Sequence, residues 1–207
     1  TCLNCHNYPS YSPESMMFHA RGKNGGTILY NKGKLSKIDF KSIGPKKNTT
    51  YPAWHPEGRY IAFSSNTTHQ IFFGQGKQPI EVFDTASDLV IYDTVTGDVL
   101  TDPRFMTEES LETFPSWSPD GKTLYFCVSD KKNVPAEVQD LRYNLCSISF
   151  DPETETFGDH VDTLINAIGE VTVDSLGKIE AAQQGLAQLQ RFDMDAARQQ
   201  LPAGHPV

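Results

Sequence analysis

Basic residues are in short supply. Eighteen lysines and arginines face 26 aspartates and glutamates, a formal charge of −8. A binder of phosphate backbones needs concentrated positive charge, so nucleic acid is excluded as the main partner. The one basic run, Lys32 to Lys47, reads as a solvated face. No apolar run approaches the roughly 20 residues that cross a bilayer, and no membrane span is expected. No basic-then-apolar leader opens the chain, which starts at Thr1 as a processed product or an excised segment would. Catalytic signatures are lacking too. There is no G-x-S-x-G, no Walker A and no H-E-x-x-H, so the chain is not expected to be an enzyme. Cysteines number four. Cys127 and Cys146 sit in apolar, strand-like runs as cross-strand neighbours and read as small buried hydrophobes. A disulfide between them would require an oxidising compartment.

What the chain does have is a repeat. "YPAWHPEGRYIAF" from Tyr51 matches "FPSWSPDGKTLYF" from Phe114. Trp54 aligns with Trp117, Gly58 with Gly121 and Phe63 with Phe126, all at one offset (117 − 54 = 63). In Ser118-Pro119-Asp120-Gly121 the proline presets the first corner of a turn, and the glycine accepts the left-handed conformation that sends the chain back. His55-Pro56-Glu57-Gly58 does the same. The alternation after each turn predicts a strand with a buried face. A second kind of hairpin recurs around Gly33, Gly97 and near Gly158, close to the same period. The order predicts about ten strands in antiparallel four-stranded groups, the first of them half present. Such repetition, with Trp and P-D-G signatures, marks a β-propeller.

The motif [YF]-P-[AS]-W-[HS]-P-[ED]-G-[RK] resembles the WD-repeat-like blades of TolB-type periplasmic propellers. The opening "CLNCHNYPSYSPESMMFHARGKNGGTIL" is similar to the CxNCH-plus-HxRGxxGGT segment of Bacteroidetes propeller proteins. Together these residues imply an all-β fold: a partial β-propeller of about two and a half four-stranded antiparallel blades, with a C-terminal α-helical tail. Residues 1–26 form the N-terminal CxxCH segment, 27–165 the partial propeller and 166–207 the tail. In that tail Asp174 or Ser175 caps a helix carrying Ile179, Leu186, Leu189 and Phe192 on one face.

Cys2, Cys5 and His6 spell C-x-x-C-H, the attachment pattern of c-type haem. Two thiols three residues apart bond the porphyrin, and the adjacent histidine reaches the iron. Met16, Met17 and His19 offer chemically sensible sixth ligands. Two other chemistries stay open for the segment. One is a plain Cys2–Cys5 disulfide or inert thiols. The other is a zinc set of Cys2, Cys5, His6 and His19. Further along, His69, Phe72 and Phe73 lie in a long inter-strand insertion that reads as a partner contact or a packed loop.

The expected function is an interaction module of the cell envelope, periplasmic or at the cell surface, for a protein or glycan partner. Haem c is its leading chemical specialisation. The alternatives are a haem-dependent electron-transfer or sensing protein, and a binding module without cofactor. Open propeller edges also invite self-association.

Overall fold

A computed structural model describes residues 2–21, 25–38, 48–72, 74 and 80–168. The tail expected to be helical lies outside the described residues from 169 onward, as does Phe73. Among the described residues no α-helix occurs, and no helix is long and apolar enough to cross a membrane. The chain is all-β.

Thirteen strands are described. The first sheet runs β1 (Cys2–Asn7), β2 (Ser15–Arg21), β3 (Gly26–Asn31) and β4 (Lys34–Ile38), each antiparallel to the next. The second is a meander of β5 (Asn48–Trp54), β6 (Tyr60–Phe72), β7 (Ile80–Asp93) and the short β8 (Val99–Leu100). The third is β9 (Ser110–Trp117), β10 (Thr123–Asp130) and β11 (Asn144–Asp151). To β11 both β12 (Thr156–Phe157) and β13 (Asp162–Ile165) pair. The second and third sheets touch through one parallel bridge, Ser87 to Leu111, so they are two units and not one continuous sheet. The first strands lie side by side, β1 against β5 and β5 against β9. That radial stacking of antiparallel meanders is a β-propeller-like arrangement.

The first group is therefore complete and not half present. Cys2–Asn7 is its innermost strand, and the boundary expected after residue 26 falls inside this sheet. The expectation failed because β1 carries no tryptophan and no glycine follows its turn. A 3-10 turn at Pro9–Tyr11 also breaks the spacing.

Strand alternation sends one face of each sheet to each neighbour. Met17, Leu29 and Ile38 of the first sheet pack on Trp54, Ile61, Phe63 and Val90 of the second. The second sheet's opposite face gives Tyr60, Ala62, Leu89 and Ile91. These meet Leu124, Phe126, Cys146, Ile148 and Phe150 of the third sheet, with Phe105 filling the gap. Full burial of each large side chain contributes about 1.5–3 kcal/mol, so the two interfaces carry most of the cohesion.

The proline turns behave as the sequence predicts, and one is also a latch. Gly121 takes the left-handed conformation of its turn, with φ +71, and its neighbour leaves no room for a side chain. A Cβ there would stand 2.2 Å from Nε2 of His55, which is wholly buried. His55 donates Nε2–H to the Gly121 carbonyl at 2.9 Å, while Glu57 N–H donates to Nδ1 at 3.3 Å. These two bonds fix the orientation of the ring and pin it between the second and third sheets. The third hairpin departs from expectation: it turns at Pro152–Glu155, with Glu155 at φ +58, and Gly158 instead passes close against Ser149.

Cys127 and Cys146 do lie on paired strands. Cys146 sits opposite Phe126 and Cys127 opposite Leu145, so alternation points their thiols to opposite faces. Burial raises the proton affinity of both thiols, and neither is bonded to the other.

Candidate interaction site on the inner strands

Each innermost strand contains one residue too many. In β1 the register passes from Asn4↔His19 to Asn7↔Met17, so Cys5 and His6 together oppose Phe18. In β5 it passes from Thr50↔Ser64 to Ala53↔Ala62, and Tyr51 and Pro52 oppose Phe63. In β9 it passes from Thr113↔Cys127 to Ser116↔Tyr125, and Phe114 and Pro115 oppose Phe126. Three β-bulges stand at equivalent places, and each opens on a left-handed residue: Cys5 at φ 51, Tyr51 at 49 and Phe114 at 53. None is glycine, so each holds backbone strain of about 1–2 kcal/mol. A bulge of this kind re-aims side chains out of the normal alternation.

What the bulges present is aromatic. Tyr51 is 41% exposed and Phe114 47%, with ring centroids 4.4 Å apart and planes tilted by 45°. Tyr143 approaches Phe114 edge-on at 6.3 Å. Burial above all pushes the Tyr143 hydroxyl up, and the nearby charges of Asp84, Tyr51 and Cys127 add to it. Asp84 is held by Asn66 Nδ2 and Thr68 Oγ1, each at 2.6 Å. It stands at the base of an arm in which β6 and β7 run beyond the rest of their sheet.

That arm is the insertion singled out from the sequence, and it is a two-stranded ribbon, not a loop. Thr68 to Phe72 pair with Asp84 back to Ile80. His69 is exposed and stacks on Phe83 at 5.9 Å, its partner across the ribbon. Phe72 belongs to the other face, beside Val82, and is 70% exposed. The arm thus carries both residues, but on opposite faces.

The residues proposed around the C-x-x-C-H do not converge. By alternation along β2, Met17 and His19 share one face and Phe18 takes the other. Met17 is wholly buried against Trp54, Ile61, Phe63 and Val90, and His19 is buried as well. Cys5 and His6 oppose Phe18, away from both. Cys5 is half-buried and not disulfide-bonded, and His6 is exposed with Tyr8 edge-on at 6.2 Å. The side chain of Cys2 is outside those described. Among the described residues no three His, Cys, Asp or Glu side chains are grouped to hold a metal.

Tyr51, Phe114 and Tyr143 were not singled out from the sequence. The signal was present: an aromatic residue followed by proline opens both copies of the repeat. Proline inside a strand points to an edge or a bulge.

No family model and no curated protein matches the chain. Among solved structures, the crystal structure of the tricorn protease is similar at 14% identity with a TM-score of 0.44, over 72% of this chain and 14% of that one. The crystal structure of TolB from Acinetobacter baumannii is similar at 14% identity with a TM-score of 0.30, over 79% of this chain and 43% of that one. The chain thus spans less than half the length of either.

Proposed function

We propose that the chain is an interaction module that takes an extended segment of a protein partner on its inner strands. The observation that carries this reading is the pair of exposed rings, Tyr51 and Phe114, each held at a strained left-handed position. Neither ring contributes to the two inter-sheet cores. Exposed aromatics on a rigid frame are the residue types that dominate protein-binding energetics. Strain retained at a non-glycine position points to a role outside folding. The arm supplies a second apolar contact through Phe72 and Val82. The envelope setting rests on the resemblance of the repeat to TolB-type blades. In this reading Cys5 and His6 are the first sheet's version of the bulge and not a cofactor clamp.

The test is affinity capture from envelope extracts with the double variant Tyr51→Ser, Phe114→Ser. Both positions are exposed, so the melting temperature should hold while capture falls by about tenfold or more. A bound set identical to that of the parent chain would sink the proposal. A haem-matured preparation whose Soret band survives acid–acetone extraction would overturn the assignment of Cys5 and His6.

A further inference from the structure

The contacts between neighbouring sheets obey one rule, and among the described residues the rule leaves two faces unused. The indole of Trp54 donates back to the carbonyl of Asn7 at 3.3 Å, and the indole of Trp117 donates back to the carbonyl of Ala53 at 3.1 Å. Asn7 and Ala53 each stand two residues after the left-handed residue of their bulge, at Cys5 and Tyr51. In the third sheet that place belongs to Ser116, which is exposed, and both tryptophans of the chain are already engaged. In the first sheet the tryptophan's place, three residues after the left-handed position, is taken by Tyr8, an exposed side chain with its own donor.

The side chains follow the same pattern. Ile61, Phe63 and Val90, and likewise Leu124, Phe126 and Ile148, form faces buried by the preceding sheet. The equivalent face of the first sheet is Met16, Phe18, Ile28 and Tyr30, all half-exposed, with Leu35 at 68%. This is an apolar sheet face with the composition of an interface. At the other end, Thr123, Tyr125, Cys127 and Leu145 are half-exposed, in the places that Tyr60, Ala62, Ser64 and Leu89 use to meet the next sheet.

We propose that two copies of this chain close head to tail, the first sheet of each seated on the third sheet of the other, into a ring of six sheets about a twofold axis. The occupant is argued from continuity. The chain twice stacks one of its sheets on another by this rule, and its first and third sheets carry the two halves of the same contact. Tyr8 of one copy then reaches Ser116 of the other, twice per ring. Six sheets lie within the roughly four to eight of closed propellers. A head-to-tail contact whose rotation closes gives a ring in place of a filament.

The test is the mass in solution of the full 207-residue chain over a concentration series. The expected particle is twice 23.1 kDa, about 46 kDa. Leu35→Asp, at an exposed position outside both cores, should raise the dimer dissociation constant by at least about tenfold with no loss of melting temperature. Val95→Asp, equally exposed but in the turn between β7 and β8, should leave it unchanged. The pair Tyr8→Cys with Ser116→Cys should cross-link into covalent dimers under oxidation, which neither single variant does. A monomer throughout, a ladder of larger species, or a dimer indifferent to Leu35→Asp would each overturn the ring. Partner capture does not enter any of these readouts.

Discussion

The two inter-sheet cores are built on one backbone rule and filled differently. Between the first and second sheets the filling is largely aliphatic, with Met17, Leu29, Ile38, Ile61 and Val90 around Trp54 and Phe63. Between the second and third it is aromatic. Phe105 meets Phe126 and Phe157 edge-on at 5.9 and 5.1 Å, and Phe150 meets Tyr60 at 5.4 Å and Trp117 at 5.2 Å. Such ring pairs contribute about 0.5–1.5 kcal/mol beyond the area they bury. Polar pins cross the second core as they do the first, where Asn7 Nδ2 donates to the Pro52 carbonyl at 2.7 Å. His55 latches onto Gly121, Tyr60 Oη donates to the Pro152 carbonyl at 2.9 Å, and Arg59 bridges Asp93 and Glu155. Burial works against the ionised Asp93, yet Arg59 and the Val95 and Thr96 amides outweigh it and hold that carboxyl below its ordinary value. Repetition of a fold therefore does not imply repetition of its cohesion.

The comparison breaks most visibly at the phenylalanine opposite each bulge. Phe63→Ala and Phe126→Ala should each cost about 3–5 kcal/mol, the latter more because it also forfeits a ring contact. Denaturant midpoints check the order, and the contrast fails if Phe63→Ala proves the costlier. Next in size is the latch. Gly121→Ala should cost about 2–3 kcal/mol, from left-handed strain and the lost His55 hydrogen bond. Combined with His55→Ala, which vacates the space the new Cβ needs, the cost should be clearly less than additive. Strict additivity in that cycle would mean the two do not touch. The smallest effect sharpens the comparison through pH. Glu112 lies in the interface of the second and third sheets, where its carbonyl accepts from Ser64 and Ser87. Burial raises its carboxyl's proton affinity. Hydrogen bonds from Ser110 and Thr107 oppose the rise, and the charge of Asp88 adds to it. Its Oε2 finds no hydrogen-bond partner among the described residues. Because the folded state holds this proton more tightly than the unfolded one, stability falls as pH rises from the ordinary carboxyl value through the raised one. Glu112→Gln should therefore raise the melting temperature at neutral pH, with the gain vanishing below the ordinary carboxyl range. Parallel pH profiles for the two proteins would contradict this.

Much of the fold was legible because the turns advertise themselves. Pro56 and Pro119 fix one corner, Gly58 and Gly121 the next, and the strands between them alternate. The first sheet hid for physical reasons. Ser12-Pro13-Glu14 is a third copy of the turn, but Ser15 follows where glycine stood, and the Pro9–Tyr11 turn is inserted ahead of it. Cys5-His6-Asn7-Tyr8 then reads as a haem motif more readily than as the counterpart of Tyr51-Pro52-Ala53-Trp54. The candidate site was less legible. A bulge depends on register, which is a property of two strands, and no single stretch of sequence states it. The arm was visible as an insertion, but the opposite orientations of His69 and Phe72 follow only from the pairing with Phe83 and Ile80.

The three bulges share a geometry that does not depend on which side chain opens them. Cys5, Tyr51 and Phe114 differ in size, polarity and reactivity, yet their φ angles agree within a few degrees. Behind each stands a phenylalanine, Phe18, Phe63 or Phe126, at the same shift in register. Each bulge is therefore a socket: its occupant can be exchanged while the wall that holds it stays the same. Neighbouring sockets on adjacent inner strands give the chain a row of replaceable side chains at fixed spacing, in which recognition can change without the framework changing.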